Sequence, residues 1–462
     1  MDIPWNSTQF PGQGKKESNT IVIGLDFGTS SSKVVLHNRS ANVAFAIPFG
    51  SDGHPSNRFL LPTRPYFNRD GKLCLSSIND GIPLRELKSA LIGNPSFSYD
   101  FVLENELQAS PTLLAAAYLG QVIRLARVWF LTKQKAAFGH VSIDWHLNLG
   151  IPSTGNHFHS KKNSFRDIAV SAWWLSTQEG DITMELARKA LEIVAKTRPW
   201  PPLTDIHPDN IKVIPEIVAE AIGYVQSPQV NQGLHLLIDI GAGTIDIASF
   251  NLYSDGGSNQ YPILTGEVHW LGAFELHKHR IANVKNRLTR WLDQLGKNED
   301  PVRPIPSSVD SYLPTADKLD IRIDREMDSV FYEQCMQAVQ ATMIYLRKRR
   351  DPHSPHWETG IPTFLCGGGS QTTFYEAALQ EVSNWWKKNQ TAGLKTLKLP
   401  KPDHLQAQGL AESEYHRLAV AYGLSFPEYD IGGIKPPSEI QDVRSPESPK
   451  DYTDDFISKD QI

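Results

Sequence analysis

The stretch IVIGLDFGTSSSKVVLHN, residues 21–38, is the most informative part of the chain for predicting the fold, because a second stretch of the same design follows later. Each has an apolar run, then an aspartate with glycine and hydroxyl residues, then another apolar run. Such runs bounded by glycine and serine predict two strands joined by a turn. The second stretch, LHLLIDIGAGTIDIASFNL at residues 234–252, repeats the pattern. The repetition predicts two related lobes that face each other across a cleft.

The turns of both predicted hairpins combine an acid with glycine and hydroxyl groups. The first turn has Asp26, Gly28 and Thr29, and the second has Asp239 followed by residues 241–244. Glycine lets a backbone approach a ligand closely, turn N–H groups bind anions, and hydroxyl groups add donors. An acid beside phosphate requires a cation, and Mg²⁺ is commonly held through its waters. The two turns therefore predict a site for a polyphosphate and its metal.

Length and composition predict a globular protein with material for more than one core. The chain has 462 residues, of which 40% are hydrophobic and 21% are charged, enough to bury two or more cores. The formal net charge of −5 counts against a general nucleic-acid binder, which usually has a basic excess. Three cysteines, Cys74, Cys335 and Cys366, show neither zinc nor disulfide spacing, which is typical of a reducing compartment.

Neither a signal peptide nor a membrane span is predicted. Residues 1–20 are polar and contain no apolar core, so we expect a cytoplasmic location. The most apolar stretch, TLLAAAYLGQVIRLARVWFL at residues 112–131, is interrupted by Arg124 and Arg127. Its apolar residues recur at helical spacing, which predicts a buried amphipathic helix without a membrane partner.

Further elements are predicted around the hairpins. A buried strand at 147–153 is followed by helices near 161–177 and 181–196. A strand then leads into a helix over residues 211–225. Later segments are helices at 273–295, 322–349 and 415–426, and a strand, glycine turn and helix at 361–381.

Two of these junctions contain candidate functional residues. Glu216 stands where the strand near 211–215 changes into a helix, and a carboxylate there would orient or deprotonate a water. The segment CGGGSQ, residues 366–371, is a glycine turn between a strand and a helix. Such a turn can pass close to an adenosine, although a glycine turn alone is a weak signal.

Taken in chain order, these motifs resemble the nucleotide-binding domain of the 70-kDa heat-shock chaperones, in the actin–hexokinase–chaperone ATPase superfamily. The likeness spans roughly residues 21–426. The matching segments are IGLDFGTSSSKVVL (23–36, first phosphate motif), IPEIVAEAIGYV (214–225, first connecting helix), LIDIGAGTIDIASF (237–250, second phosphate motif), FLCGGGSQTTFYEAAL (364–379, adenosine motif) and LAVAYGLSF (418–426, second connecting helix).

The resemblance implies an α/β, actin-like ATPase fold with two duplicated ribonuclease H-like lobes flanking a nucleotide cleft, and smaller inserted subdomains. Lobe I then covers 21–224 with an insertion at about 49–149, and lobe II covers 225–426 with an insertion at about 266–360. Residues 1–20 are predicted to be disordered. Disorder is also predicted for 427–462, where nine acids face four bases and five prolines occur.

The resemblance also implies ATP or ADP and Mg²⁺ as ligands, with four catalytic candidates. Asp26 and Asp239 would hold magnesium through water, Glu216 would orient the attacking water, and Lys88 in LKSALIG would contact phosphate. The residues implied around the phosphates are Gly28, Thr29, Ser30, Gly241, Ala242, Gly243 and Thr244. Those implied beside the adenosine are Gly368, Gly369 and Ser370.

Departures from the family pattern concern the phosphates and the base. Ala242 replaces a glycine, which leaves two alternatives: the site tolerates the methyl group, or the methyl group crowds phosphate. Thr372 stands where the family usually has an arginine against adenine. The basic, adenine-contacting helix of the family is not found at 300–330. The sequence therefore defines phosphate binding better than the choice of base.

The motif set predicts a slow, Mg²⁺-dependent ATPase that works as a nucleotide-driven switch. The segment after 426 is too short and polar for the family's peptide-binding domain, so we expect a surface that a protein partner or client contacts. Three other functions stay open: a small-molecule, sugar-type kinase with Asp239 or Asp246 as base, an actin-like filament ATPase, and a degenerate nucleotide sensor. No specific nucleic-acid partner is expected.

Overall fold

The computed structural model has a mixed α/β fold, which confirms the predicted class at this level. It describes residues 18–50, 57–68, 71–76, 81–84, 86–93, 101–102, 108–152, 158–197, 200, 203–226, 230–285, 322–389 and 391–443. The strands, in chain order, are β1 (Ser18–Phe27), β2 (Ser31–Asn38), β3 (Val43–Ala46), β4 (Leu61–Pro62), β5 (Tyr66–Phe67), β6 (Leu73–Cys74), β7 (Ile82–Pro83), β8 (Phe101–Val102), β9 (Gln108–Ala109), β10 (Ser142–Ile151), β11 (Ile211–Pro215), β12 (Gly233–Ile240), β13 (Ile245–Asp255), β14 (Ser258–His269), β15 (Ile361–Cys366), β16 (Leu394–Leu397), β17 (Leu405–Gln406) and β18 (Gly433–Lys435).

Helices connect and cover these strands. The α-helices are α1 (Leu87–Leu91), α2 (Pro111–Lys133), α3 (Lys135–Phe138), α4 (Phe158–Ser176), α5 (Met184–Lys196), α6 (Glu216–Val225), α7 (Ala273–Lys285), α8 (Arg322–Tyr345), α9 (His356–Thr359), α10 (Thr373–Lys388), α11 (Ala419–Leu424) and α12 (Glu428–Ile431). Short 3-10 helices lie at Asn57–Phe59, Pro208–Asn210, Gly368–Gln371, Glu412–Arg417 and Pro437–Glu439, and one π-helical turn at Leu346–Arg350.

The two large sheets have the same strand order. The first is β11-β10-β1-β2-β3-β17, with β4 beside β2, and the second is β16-β15-β12-β13-β14-β18. In each sheet three consecutive strands pair antiparallel, two later strands join in parallel on one side, and a sixth joins in parallel on the other. The duplication seen in the two hairpin sequences therefore extends over whole sheets.

Helices fill the space between the sheets and cover their outer faces. Helices α2, α4 and α5 pack on the outer face of the first sheet. Helices α8 and α10 do the same for the second sheet. Between the sheets lie α6 and α11, which share one core with residues of both sheets. This layering arises because side chains alternate between the two faces of a strand, and in these strands the side chains on both faces are mostly apolar.

The two central helices cross at small residues. Helix α6 contains Ala219 and Gly223, and α11 contains Ala419 and Gly423 at the same spacing. A Cβ at Gly423 would lie only 1.7 Å from the Ala219 carbonyl oxygen. Only glycine permits this approach, so the crossing brings the two helix backbones into direct contact between the two sheets.

Helix α2 lies in the core of the first lobe. It is the one described helix long and apolar enough to cross a membrane, a weak indication because core helices of soluble proteins pass the same test. Arg124 donates to the Gly180 carbonyl at 2.6 Å, and Arg127 pairs with Asp205 at 2.8 Å and lies over Trp173. The predicted burial is confirmed, but α2 is buried on most sides because α4 and α5 cover the face away from the sheet.

Both segments predicted to be disordered contain ordered residues, so those boundaries are wrong. β1 begins at Ser18, because residues 18–20 pair in parallel with β10 despite their polar side chains. Residues 427–443 include α12, β18 and a 3-10 helix, and Ile431 is buried in the central core. Residues 1–17 and 444–462 lie outside the described part of the chain.

The start of the acidic tail is held by a few specific contacts that its average composition conceals. β18 pairs with β14, which adds a strand to the second sheet. Arg39 binds Asp430 at 2.7 Å, and Arg350 binds Asp442 at 3.3 Å. The acids near the beginning of the tail therefore meet bases of the folded body.

The predicted insertions are too wide. β10 begins at Ser142, inside the predicted 49–149 insertion, yet it is a central strand of the first sheet. Helix α8 falls within the predicted 266–360 insertion, but it packs on the second sheet. The helix predicted at 273–295 is described to Lys285, and residues 286–321 lie outside the described part.

Candidate functional site

The turns of the duplicated hairpins face each other between the two sheets. A Cβ built on Gly243 in the second turn would lie 3.5 Å from Thr29 Cγ2 in the first turn. It would also lie 3.4 Å from Ser89 Oγ in α1. The two turns and α1 therefore converge on one place, and the turns lie close to van der Waals contact.

The first hairpin neutralises its own aspartate. Asp26 stands opposite Lys33 in the register of β1 and β2, and Lys33 Nζ lies 2.8 Å from Asp26 Oδ2. The turn is supported by Thr63, whose N–H donates to the Ser30 carbonyl at 2.9 Å and whose hydroxyl donates to the Gly28 carbonyl at 2.8 Å. These bonds fix the turn through its carbonyl groups.

The second turn is also held through its carbonyl groups. They accept hydrogen bonds from Gly272 and the start of α7, in the pairs Gly272 to Gly243 at 3.1 Å, Ala273 to Gly241 at 2.9 Å and Phe274 to Ala242 at 2.7 Å. Thr244 closes the turn by accepting from the Gly241 N–H at 2.9 Å. The N–H groups of Ala242 and Gly243 donate to no acceptor among the described residues. Free amides on a glycine turn are donors for an anion.

Lys88 and Glu216 form a buried ion pair beside the turns. Lys88 lies in α1 and Glu216 is the first residue of α6, with 2.7 Å between Lys88 Nζ and Glu216 Oε1. Burial raises the pKa of Glu216 to about 7; Lys88 opposes the shift, and Asp26 and Asp246 add to it. Burial acts to lower the pKa of Lys88, but Glu216 and Asp26 outweigh it and the pKa is raised. A carboxyl group that titrates near neutral pH suits proton transfer.

The second hairpin concentrates negative charge. Asp239 stands opposite Asp246 in the register of β12 and β13, and Oδ1 of each is buried without a hydrogen-bond partner among the described residues. Burial raises the pKa of Asp239 to about 8, with Asp246, Glu216 and Asp26 adding to the shift. Burial also raises the pKa of Asp246, and Lys88 opposes this. The structure therefore brings the two predicted aspartates, Asp26 and Asp239, into one electrostatic environment.

The glycine turn after β15 lies directly beside Asp239. Gly367 has φ +78°, and a Cβ there would lie 2.0 Å from Asp239 Oδ1. Gly368 is exposed and has open space around it. Gly369 is buried against Ile240, and the Ser370 hydroxyl donates to the Gly367 carbonyl at 2.8 Å. Of the three residues predicted to contact an adenosine, Gly368 alone is exposed.

Sequence reasoning misses Lys33 as the partner of Asp26. If the length of the turn were known, counting outward from it along both strands would place the two residues opposite each other. The turn length decides this register, and the sequence stretch TSSS leaves that length open. The first aspartate is therefore less available to a metal than the motif implies.

A second missed residue is Glu220, one turn beyond Glu216 on α6. It is 1% exposed, and its carboxyl group has the Cys366 thiol as a hydrogen-bonding neighbour but no nitrogen or oxygen donor among the described residues. Burial raises its pKa well above the usual range, and Asp239 and Glu216 add to the shift, so the surroundings favour the protonated carboxyl group. The sequence signal was an acid four residues after another acid on an otherwise apolar helix.

The site has more carboxyl groups than bases. Lys33 and Lys88 are the bases, and the carboxyl groups are Asp26, Asp239, Asp246, Glu216 and Glu220. Across the described ranges, no group of three or more His, Cys, Asp or Glu side chains is arranged to ligate a metal directly. The unpartnered Oδ1 atoms of Asp239 and Asp246 are the candidate acceptors for the waters of a hydrated divalent cation, but both are buried, so the site would have to open to admit it. No family model matches the chain, and no curated protein sequence matches it.

Proposed function

We propose that the chain is a slow, Mg²⁺-dependent ATPase with an actin-like fold, which acts as a nucleotide-driven conformational switch. The observation that carries the proposal is the pair of opposed hairpin turns, on sheets of identical strand order, with Lys88 and Glu216 beside them. A structural role for one such turn would be unremarkable. Two in matching positions, with free amides and unpartnered acids between them, favour a phosphate-binding site.

The strand order supports the actin-like assignment. Three antiparallel strands followed by two parallel strands form each ribonuclease H-like unit, and the chain contains this order twice. The central helices α6 and α11 join the units through the Gly423–Ala219 contact. In this arrangement the hairpin turns of both lobes lie on the same side, where a nucleotide would contact both.

Phosphate binding would use the N–H groups of Ala242 and Gly243, the Thr29 hydroxyl and the Lys88 ammonium. The first two are free donors on the second turn, and Thr29 faces Gly243 from the first. Magnesium, when bound, would neutralise phosphate charge. Asp239 and Asp246 would hold its waters, while Asp26 is already paired with Lys33.

Hydrolysis would depend on competition for Lys88. In the structure Lys88 is bound to Glu216, which keeps the pKa of that carboxyl lower than burial alone would make it. A γ-phosphate that attracts Lys88 removes this stabilisation and makes Glu216 a stronger proton acceptor. Glu216 then orients the attacking water and takes its proton, while Lys88 stabilises the charge that develops on phosphate.

Conformational switching would follow from the closeness of the two turns. Because the gap between Thr29 and Gly243 would be filled by a single added methyl group, a triphosphate would enter only when the lobes separate, and it would contact both only after they approach again. Nucleotide state would thus control the angle between the lobes. A protein partner that contacts both lobes would distinguish the two states.

Binding and turnover test the proposal separately. We expect calorimetry to detect ATP and ADP binding that weakens without Mg²⁺, and phosphate release to be slow but measurable. Glu216→Gln should still bind ATP, whereas its hydrolysis rate should fall about 100-fold or more, because the proton acceptor is lost. Glu192→Gln, on the exposed face of α5, is the matched control and should behave like the wild type. Unchanged turnover in Glu216→Gln would exclude the mechanism.

A sugar-type kinase is the second candidate, and Asp246 is the observation that favours it. Its carboxyl group is buried, has a free Oδ1 and lies near Lys88, so it could activate a substrate hydroxyl. Phosphate release from ATP without any added alcohol supports the ATPase. Turnover that appears only when a sugar is supplied, and is lost in Asp246→Asn, supports the kinase.

A further inference from the structure

An ion pair outside the phosphate-binding elements links the two halves of the site. Lys278, in α7, binds Glu86 at 2.7 Å, and Glu86 directly precedes α1. Lys278 also binds Glu275 of its own helix at 2.9 Å. The bond to Glu86 joins α7 to the segment before α1, whereas the bond to Glu275 lies within α7.

Each end of this pair is attached to a part of the phosphate site. Glu86 precedes Lys88 by two residues, and its carbonyl accepts from the Ala90 N–H of α1 at 3.0 Å. Its φ of +56° is unfavourable for a residue with a side chain, so surrounding contacts must hold it in place. At the other end, α7 begins with the N–H groups that hold the second turn.

We propose that the Glu86–Lys278 pair is a latch that holds α1, and with it Lys88, against the second hairpin and so slows nucleotide release. The inference rests on the proposed function and adds two positioning residues to it. Separation of the lobes must move α1 away from α7, because α1 lies next to the second turn and the start of α7 holds that turn. The pair must break during this movement. The Lys278 side chain is 35% exposed and that of Glu86 is 10% exposed, so water reaches the lysine readily but reaches the carboxylate only as α1 moves.

The latch is tested by the release rate of a fluorescent ADP analogue. Glu86→Gln and Lys278→Met should each raise this rate about two- to fivefold, the range expected for a partly exposed ion pair. The double variant should be no faster than the faster single variant, because both changes break the same bond. The charge-exchanged variant Glu86→Lys with Lys278→Glu should restore part of the slow release.

A matched control comes from the other partner of Lys278. Glu275→Gln removes a bond inside α7 but leaves the bond between lobes, so its release rate should stay within about twofold of wild type. Rates that simply multiply in the double variant, or an equal effect of Glu275→Gln, would overturn the latch. So would unchanged release in both single variants at unaltered melting temperature.

Hydrogen exchange in the free protein separates this inference from the proposed function. Amides of residues 86–93 should exchange faster in Glu86→Gln and Lys278→Met than in wild type, whether or not nucleotide binds. If the wild type binds no nucleotide, the proposed function fails and the latch on release fails with it, while exchange still reports whether the pair holds α1. If nucleotide binds and exchange and release are both unchanged, the latch alone fails.

Discussion

The two hairpins share one backbone design but differ in charge at the cross-strand position of their aspartates. In the first hairpin Asp26 faces Lys33, and the two side chains form an ion pair at 2.8 Å. In the second Asp239 faces Asp246, and both carry a buried oxygen without a partner among the described residues. Both turns are held through their carbonyl groups, by Thr63 in one case and by the start of α7 in the other.

This difference teaches that a duplicated motif need not duplicate its chemistry. In the first hairpin the charge of the aspartate is compensated, because a lysine on the neighbouring strand forms an ion pair with it. The second contains two acids whose pKa values are raised by burial, and Asp246, Glu216 and Asp26 raise that of Asp239 further. A hydrated cation would stabilise the second hairpin more than the first. We therefore expect ligand binding to stabilise the second lobe more than the first.

Of the variants that test this difference, Gly367→Ala should change the free energy of unfolding most. β10 of the first sheet is followed by Pro152, whereas β15 of the second is followed by Gly367, whose backbone lies against Asp239. A methyl group there would meet Asp239 Oδ1 and the Ile240 carbonyl, at a φ of +78° that disfavours alanine. We expect the free energy of unfolding to fall by about 2–4 kcal/mol, measured by urea denaturation.

Gly368→Ala is the matched control for this prediction. No heavy atom lies within 4 Å of a Cβ at this neighbouring position. Its free energy of unfolding should stay within about 0.5 kcal/mol of wild type. An equal loss in the two variants would mean that the turn tolerates no side chain at all, and would remove Asp239 from the explanation.

The pH dependence of stability should come from the second hairpin. The pKa of Asp239 rises from an ordinary value of 3.8 to about 8, so the folded protein binds this proton more tightly than the unfolded chain. Stability from this group is therefore present at low pH and lost as pH rises from about 4 to about 8. The expected slope is up to about 1.4 kcal/mol per pH unit, measured by urea denaturation between pH 5 and pH 8.

Asp239→Asn isolates that contribution. The amide cannot ionise, so the slope should become shallower, while Glu216, whose pKa is also raised, keeps part of it. Magnesium together with ATP should reduce the slope in the wild type, because a cation favours the ionised carboxyl groups. A slope that is identical in wild type and Asp239→Asn would show that the acids of the second hairpin are not responsible.

Local patterns were enough to predict the hairpins, the junction at Glu216 and the glycine turn, because each depends on residues adjacent in sequence. The short strands β17 and β18 were not predicted, since two or three residues carry no periodicity and their pairing is long-range. The Asp26–Lys33 pair depends on turn length, and the Glu86–Lys278 pair joins distant segments. Burial of Glu220 results from packing between α6 and the second sheet, which composition does not reveal.

The smallest predicted effects have opposite signs in the two hairpins. Lys33→Met leaves Asp26, which is 5% exposed, without its partner and should lower the free energy of unfolding by about 1–2 kcal/mol. Asp246→Asn removes an acid beside Asp239 and should raise it by about 0.5–1 kcal/mol at pH 8, where repulsion is greatest. Both values come from urea denaturation without nucleotide. If both variants lost stability, neighbouring groups would compensate the acids of the second hairpin as Lys33 compensates Asp26. No bound cation would then be needed to account for those acids.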